Sequence, residues 1–151
     1  MILTRDKELT KICHLWQSHK VGFISGCWDL LHDLHLETLL RAKVHCDKLI
    51  VGIDSDDLVY KNKNKWPIHT VKQRLWTIAH QLPVDATIRI TSLDQHNQFC
   101  NEVDVVFKNQ EMIYGKKVEH GSAELIIIPD IVEGQHTSEL LNKFTGEHSV
   151  N

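Results

Sequence analysis

The chain has 151 residues, close to the usual figure of about 150 per domain and enough to bury a core without disulfide or metal staples. Hydrophobic residues make up 42% and charged residues 25%, and 17 basic against 20 acidic side chains leave a net charge of −3. These values exclude a disordered tail, a collagen-like chain and a coiled coil, and the missing basic excess argues against a nucleic-acid partner. Residues 4–19 read as an amphipathic helix capped by Thr4, with Leu9, Ile12, Cys13 and Trp16 on one face. Lys20 to Ser25 is a short apolar run ending at Gly26 and reads as a buried strand. Residues 34–46 read as a helix, and Lys48 to Ile53 as a second buried strand running into the polar cluster Asp54-Ser55-Asp56-Asp57. The basic stretch Tyr60 to Lys65 reads as a surface loop closed by Trp66-Pro67. Thr70 to Gln81 reads as a helix capped by Thr70. Strands are expected at 87–90, 103–107 and 124–128, with helices at 94–102 and 137–144.

The strands are continuously apolar rather than alternating, as expected when both sheet faces are covered. Their alternation with helices predicts one α/β domain, with a mainly parallel five-stranded sheet and helices on both faces. In such sheets ligands bind beyond the carboxyl ends of the strands, near the switch point. The loops after residues 25, 53, 107 and 129 are therefore expected around one site. No apolar run approaches the roughly 18–20 residues that span a bilayer. The opening MILTRDKELTK lacks the apolar core of a signal peptide, so a cytoplasmic protein with no membrane partner is expected. Cys13, Cys27, Cys46 and Cys100 form no C-x-x-C pair and read as reduced, structural thiols. Trp16 and Trp76 read as core packing, with an interface as their other role.

The loop after the first long strand reads Ser25-Gly26-Cys27-Trp28-Asp29-Leu30-Leu31-His32-Asp33-Leu34-His35. A glycine turn leading into a helix start presents backbone amides to a phosphate. His32 and His35, three apart, share one face of a helical turn. By spacing alone they are two polar residues at a helix start, or two phosphate contacts. A metal site needs more ligands than His-x-x-His supplies.

GCWDLLHDLH resembles the G-x-F-D-x-x-H-x-G-H signature of the cytidylyltransferase-like nucleotidyltransferases. The resemblance continues through Val51-Gly52-Ile53-Asp54-Ser55-Asp56, the lysine stretch with Trp66-Pro67-Ile68, and Gln73-Arg74. It extends to Val105-Val106-Phe107-Lys108 and Glu133-Gly134-Gln135-His136-Thr137-Ser138, and covers roughly residues 2–145 in order. The opening helix looks most like the domain that makes ADP-heptose from heptose 1-phosphate, with glycerol-3-phosphate cytidylyltransferases next. The resemblance implies a single Rossmann-like domain over 1–151, its core at about 20–145. It also implies attack on the α-phosphorus of ATP or CTP by a phosphate oxygen of a small phosphorylated sugar or polyol. Pyrophosphate leaves, Mg²⁺ accompanies the triphosphate, and no metal is held by protein side chains alone. Relatives are often homodimers.

By the same resemblance His32, His35 and Lys63 are catalytic candidates, with Lys61 and Lys65 as rivals of Lys63 for the phosphates. Gly26, Cys27, Trp28 and Asp29 lie where the nucleotide approaches. Arg74 binds phosphate or pairs within the fold. Thr137 and Ser138 hold phosphates or cap the last helix. Asp54 and Asp56 read as a helix-capping turn. Leu34 replaces the motif glycine, Trp66 an arginine, His136 a hydroxyl residue, and Asn109-Gln110-Glu111 the family's G-G-D-Y. Leu34 and the replaced G-G-D-Y support a second reading, a nucleotide-binding module without catalysis.

Overall fold

Apolar runs rich in valine and isoleucine are stable as strands only where both faces are covered, and they build the centre of this fold. The computed structural model describes residues 1–110 and 118–129. In chain order these form β1 (Ile2–Leu3), α1 (Asp6–Leu15), β2 (Val21–Gly26), α2 (Asp33–Val44), β3 (Lys48–Asp54) and α3 (Asp56–Lys63). They continue with α4 (Val71–Ala79), β4 (Ala86–Ile90), α5 (Leu93–Cys100), β5 (Val105–Asn109) and β6 (Glu124–Ile128). The strands form one sheet in the order β1-β4-β3-β2-β5-β6. Every pairing is parallel, with Phe23 opposite Ile50 and Ile24 opposite Phe107. The helix expected at 137–144 lies outside the described residues.

Residues on alternate faces of the strands make two cores. Phe23, Ile50, Ile90 and Val106 pack with Leu9 of α1 and Phe99 of α5. Ile24, Val51, Ile53 and Phe107 pack with Leu39 of α2 and Ile78 of α4. A fully buried side chain of this size contributes about 1.5–3 kcal/mol. Gly52 is glycine because a Cβ there would collide with Ile90 and Phe23.

The sheet has six strands rather than the five expected. Ile2–Leu3, two residues long, pairs with Thr87 and Ile88 at the sheet edge and is too short to show a period. The first helix begins at Asp6, not Thr4. The Thr4 hydroxyl donates to the Glu8 carboxylate, which also accepts the Thr4 amide at 2.6 Å. Of the expected surface loop at 60–65, Tyr60 to Lys63 are helical. Ser55 caps α3 by accepting the Leu58 amide, aspartates occupy its first turn and lysines its last, and left-handed Asn64 ends it. Trp16 packs on the first core, whereas Trp76, also read as core, is 62% exposed.

A candidate phosphate site at the carboxyl ends of the strands

β2 is the switch point of the sheet, since β3 lies on one side of it and β5 on the other. The chain leaves β2 through a tight turn in which Trp28 and Leu30 both take positive φ, 57° and 49°. Left-handed backbone costs a non-glycine residue about 1–2 kcal/mol, so other contacts must hold it. The Trp28 indole N–H donates to the Gly52 carbonyl at 3.1 Å, folding the ring over Gly26. The Asp29 carboxylate accepts the amides of Ile68 and His69 at 2.7 and 2.9 Å. Burial alone would raise the Asp29 carboxyl, but these amides more than offset it and its pKa is lowered.

The turn, with the tips of β2 and β5, encloses a cavity of about 430 Å³. Gly26, Cys27, Trp28, Asp29, His35 and Lys63 line it, together with Lys108 and Asn109. Six of the candidate residues are therefore brought together. His32 is exposed and stacks on His35, with ring centroids 3.9 Å apart. Lys61 and Lys65 are exposed and do not line the cavity, so of the three lysines the fold turns Lys63 towards it. Thr137 and Ser138 lie outside the described residues. Leu34 is 47% exposed and is not in the cavity wall, so its side chain does not crowd that space.

His35 is prepared as a neutral donor. Its Nδ1 accepts the His32 amide at 3.3 Å, which leaves the hydrogen of the neutral ring on Nε2. Burial, then the neighbouring His32 and Lys63, push its pKa down to about 4. At neutral pH it offers an uncharged N–H.

Arg74 resolves in favour of the internal role. Its side chain is 1% exposed. The guanidinium donates to the carbonyls of His69, Cys27 and Asp54 at 3.0, 2.7 and 2.8 Å, and to the Asp56 carboxylate at 2.7 Å. It fixes the turn after β2, the end of β3 and the start of α3 to α4, the internal pairing that was one of its two readings. Asp56, read as part of a capping turn, is its ion-pair partner; Ser55 does the capping.

Sequence reasoning assigned no role to a buried polar cluster on the α5 side of the same strand ends. Lys108 Nζ lies 3.2 Å from Nε2 of His96, which is 7% exposed. Burial lowers the Lys108 ammonium and raises the Asp54 carboxyl, each partly opposed by the other's charge. The one signal was Lys108 ending an apolar strand.

All four cysteines are free thiols. Burial pushes Cys13, Cys46 and Cys100 up to about 11, and keeps them unreactive. No helix among the described residues is long and apolar enough to cross a membrane.

The sequence matches the Cytidylyltransferase-like family model over residues 23–139, most of the chain. The chain belongs to this family. It is 31% identical over 145 residues to the bifunctional protein HldE of Caulobacter vibrioides, covering 89% of this chain and 30% of that protein. It is 28% identical over 153 residues to HldE of a Bradyrhizobium strain, covering 94% of this chain and 31% of the relative. It thus spans about three tenths of the length of these relatives. A lipopolysaccharide core biosynthesis protein from Thermoplasma volcanium shares the fold with a TM-score of 0.64 at 21% identity, covering 76% of this chain and 99% of its own. A pantoate-beta-alanine ligase from Francisella tularensis shares it with a TM-score of 0.62 at 17% identity, covering 89% of this chain and 68% of its own. The stretch Gly26 to His35, which resembles the family signature, forms the turn after β2 and the start of α2, and Gly26, Cys27, Trp28, Asp29 and His35 of it line the cavity.

Proposed function

We propose that the chain transfers a nucleotidyl group from ATP or CTP to a small phosphorylated sugar or polyol and releases pyrophosphate. The observation that carries this reading is the convergence of the signature turn, His35 and Lys63 on one cavity at the switch point. Catalysis of this kind is positioning plus charge neutralisation. The turn after β2 and the start of α2 present backbone amides to the phosphates. The His35 Nε2–H donates to oxygen on which charge builds, and Lys63 neutralises a neighbouring phosphate. Mg²⁺ would accompany the triphosphate as its counterion and neutralise phosphate charge, while Asp29 accepts the amides of Ile68 and His69.

The non-catalytic reading rests on Leu34, which lies outside the cavity wall, and on the replaced G-G-D-Y, whose first residue here, Asn109, lines the cavity. Turnover decides between the two. The protein with Mg²⁺, ATP or CTP, and heptose 1-phosphate or glycerol 3-phosphate is expected to release pyrophosphate in at least one pairing. Lys63→Ala is expected to weaken triphosphate binding about tenfold or more, a charge-assisted hydrogen bond's share, while Lys61→Ala and Lys65→Ala change it little. Tight nucleotide binding with no release from any pairing would return the reading to a binding module.

A further inference from the structure

Two lysines approach the tip of β2 from opposite sides. Lys63 comes from the β3 side, at the end of the helix that follows β3. Lys108 comes from β5, on the other flank. Both line the cavity. Lys63 is exposed, as lysines usually are, whereas Lys108 is half-buried at the end of β5. The two-residue period of β5 puts it on the face of Val106, against α5.

There the contacts fix its protonation. An ammonium only donates, so His96 Nε2 accepts from Lys108. The ring hydrogen then sits on Nδ1, 3.3 Å from Asn97 Oδ1, which accepts it. Phe23 holds the ring from the side at 5.7 Å between centroids. Burial works against the Lys108 charge, and the Asp54 carboxyl, with the neutral His96 acceptor behind it, favours an ammonium at the cavity wall. Burying a charge is costly, and an apolar side chain would fill the same space without that cost. Beside it, Asn109 Oδ1 is buried with no hydrogen-bond partner among the described residues, an acceptor placed where a hydroxyl would satisfy it.

Displacement at phosphorus adds a constraint. The attacking and leaving oxygens lie roughly in line, on opposite sides of the phosphorus. Both belong to anions, so each benefits from a cation on its own side. His35 and Lys63 serve one side of the β2 tip, and Lys108 stands on the other.

We propose that Lys108 binds the phosphate of the second substrate, and that His96 is the positioning residue that holds its ammonium. The inference rests on the nucleotidyl-transfer reading above. In the step, a phosphate oxygen of the phosphomonoester forms a bond to the α-phosphorus. The bond from that phosphorus to the bridging oxygen breaks, and pyrophosphate leaves with the electron pair. The nucleophile is already an anion, so no proton moves and Lys108 acts as a fixed countercharge. Asn109 Oδ1 accepts a hydroxyl of the same substrate, which fits a phosphorylated polyol or sugar.

Calorimetry on the full chain tests this, with α,β-methylene ATP or CTP as the nucleotide probe and heptose 1-phosphate or glycerol 3-phosphate as the second ligand. Lys108→Met is expected to weaken binding of the phosphomonoester 10- to 100-fold, with nucleotide affinity within twofold of wild type. His96→Leu is expected to reproduce that split, and His96→Gln, whose amide oxygen can accept from Lys108, to restore binding. If Lys108→Met does not fold, Lys108→Arg, which keeps the charge but moves it, is expected to weaken phosphomonoester binding alone. Unchanged phosphomonoester affinity in the Lys108 variant, or equal weakening of both ligands, overturns the proposal. So does identical behaviour of His96→Leu and His96→Gln. Failure of the wild type to bind either nucleotide analogue would instead remove the nucleotidyl-transfer reading, and the proposal with it.

Discussion

The two flanks of the β2 tip use their cations in opposite ways. On the α4 side, Arg74 spends its guanidinium on three backbone carbonyls and one carboxylate. On the α5 side, Lys108 meets a neutral imidazole and lines the cavity. A cation whose hydrogen bonds all end within the protein is scaffold, and one that reaches a cavity wall is available to a ligand. The contrast also explains the residue types. A planar fork with fixed donors suits several carbonyls at once, while a compact ammonium on a flexible stem suits an incoming anion.

The sharpest way to break this contrast is to remove the scaffold cation. Arg74→Met would strand three buried carbonyls and the Asp56 carboxylate, and is expected to cost about 3–5 kcal/mol of folding stability in urea unfolding. A loss below about 1 kcal/mol would mean that the turn after β2 holds itself. On the same flank, His35→Ala is expected to lower kcat by roughly 100- to 1000-fold, about 3–4 kcal/mol, with a smaller change in nucleotide affinity. Full turnover in that variant would deprive the neutral N–H of its role.

The smallest effect compares the flanks through acid. His35 on one side and His96 on the other are both held down to about 4, chiefly by burial, against an ordinary value near 6.5. The unfolded chain therefore binds more protons than the folded one between those values, and stability falls as pH drops from about 6.5 towards 4. Urea midpoints measured across that window are expected to slope downward with acid. His35→Gln and His96→Gln should each flatten the slope, and an unchanged slope in either assigns that ring no part in it.

How much of this was legible in the sequence varies with the physics behind each element. The α4 start was plain, because Thr70 and Gln73 form a reciprocal box: the Thr70 hydroxyl accepts the Gln73 amide and the Gln73 side chain accepts the Thr70 amide. The strands were plain because they are continuously apolar. The helical part of the lysine stretch was not, since Tyr60-Lys61-Asn62-Lys63 has no apolar period and the helix depends on Ser55 and its charged ends. In the site, the signature turn and His35 were legible as a local pattern with a known likeness. The role of Arg74 was not, because its acceptors come from three separate segments, at Cys27, Asp54 to Asp56 and His69, that only the fold brings together. Lys108 and His96 were hidden for a related reason. Whether a lysine at a strand end faces water or a histidine twelve residues earlier depends on which helix covers that face of the sheet.

From the cavity wall, the Asp29 carboxylate fastens the loop before α4 by the main chain at Ile68 and His69, not by their side chains. Any residue but proline supplies the same amide, so the fastening is indifferent to what is mounted there. The Ile68 side chain is 72% exposed, and Trp66 stacks on Tyr60 of α3 at 4.5 Å between ring centroids. The loop therefore works as an interchangeable fitting. A different side chain at 68 can change its outer surface while the clasp beneath stays shut, so this face can drift without disturbing the turn after β2.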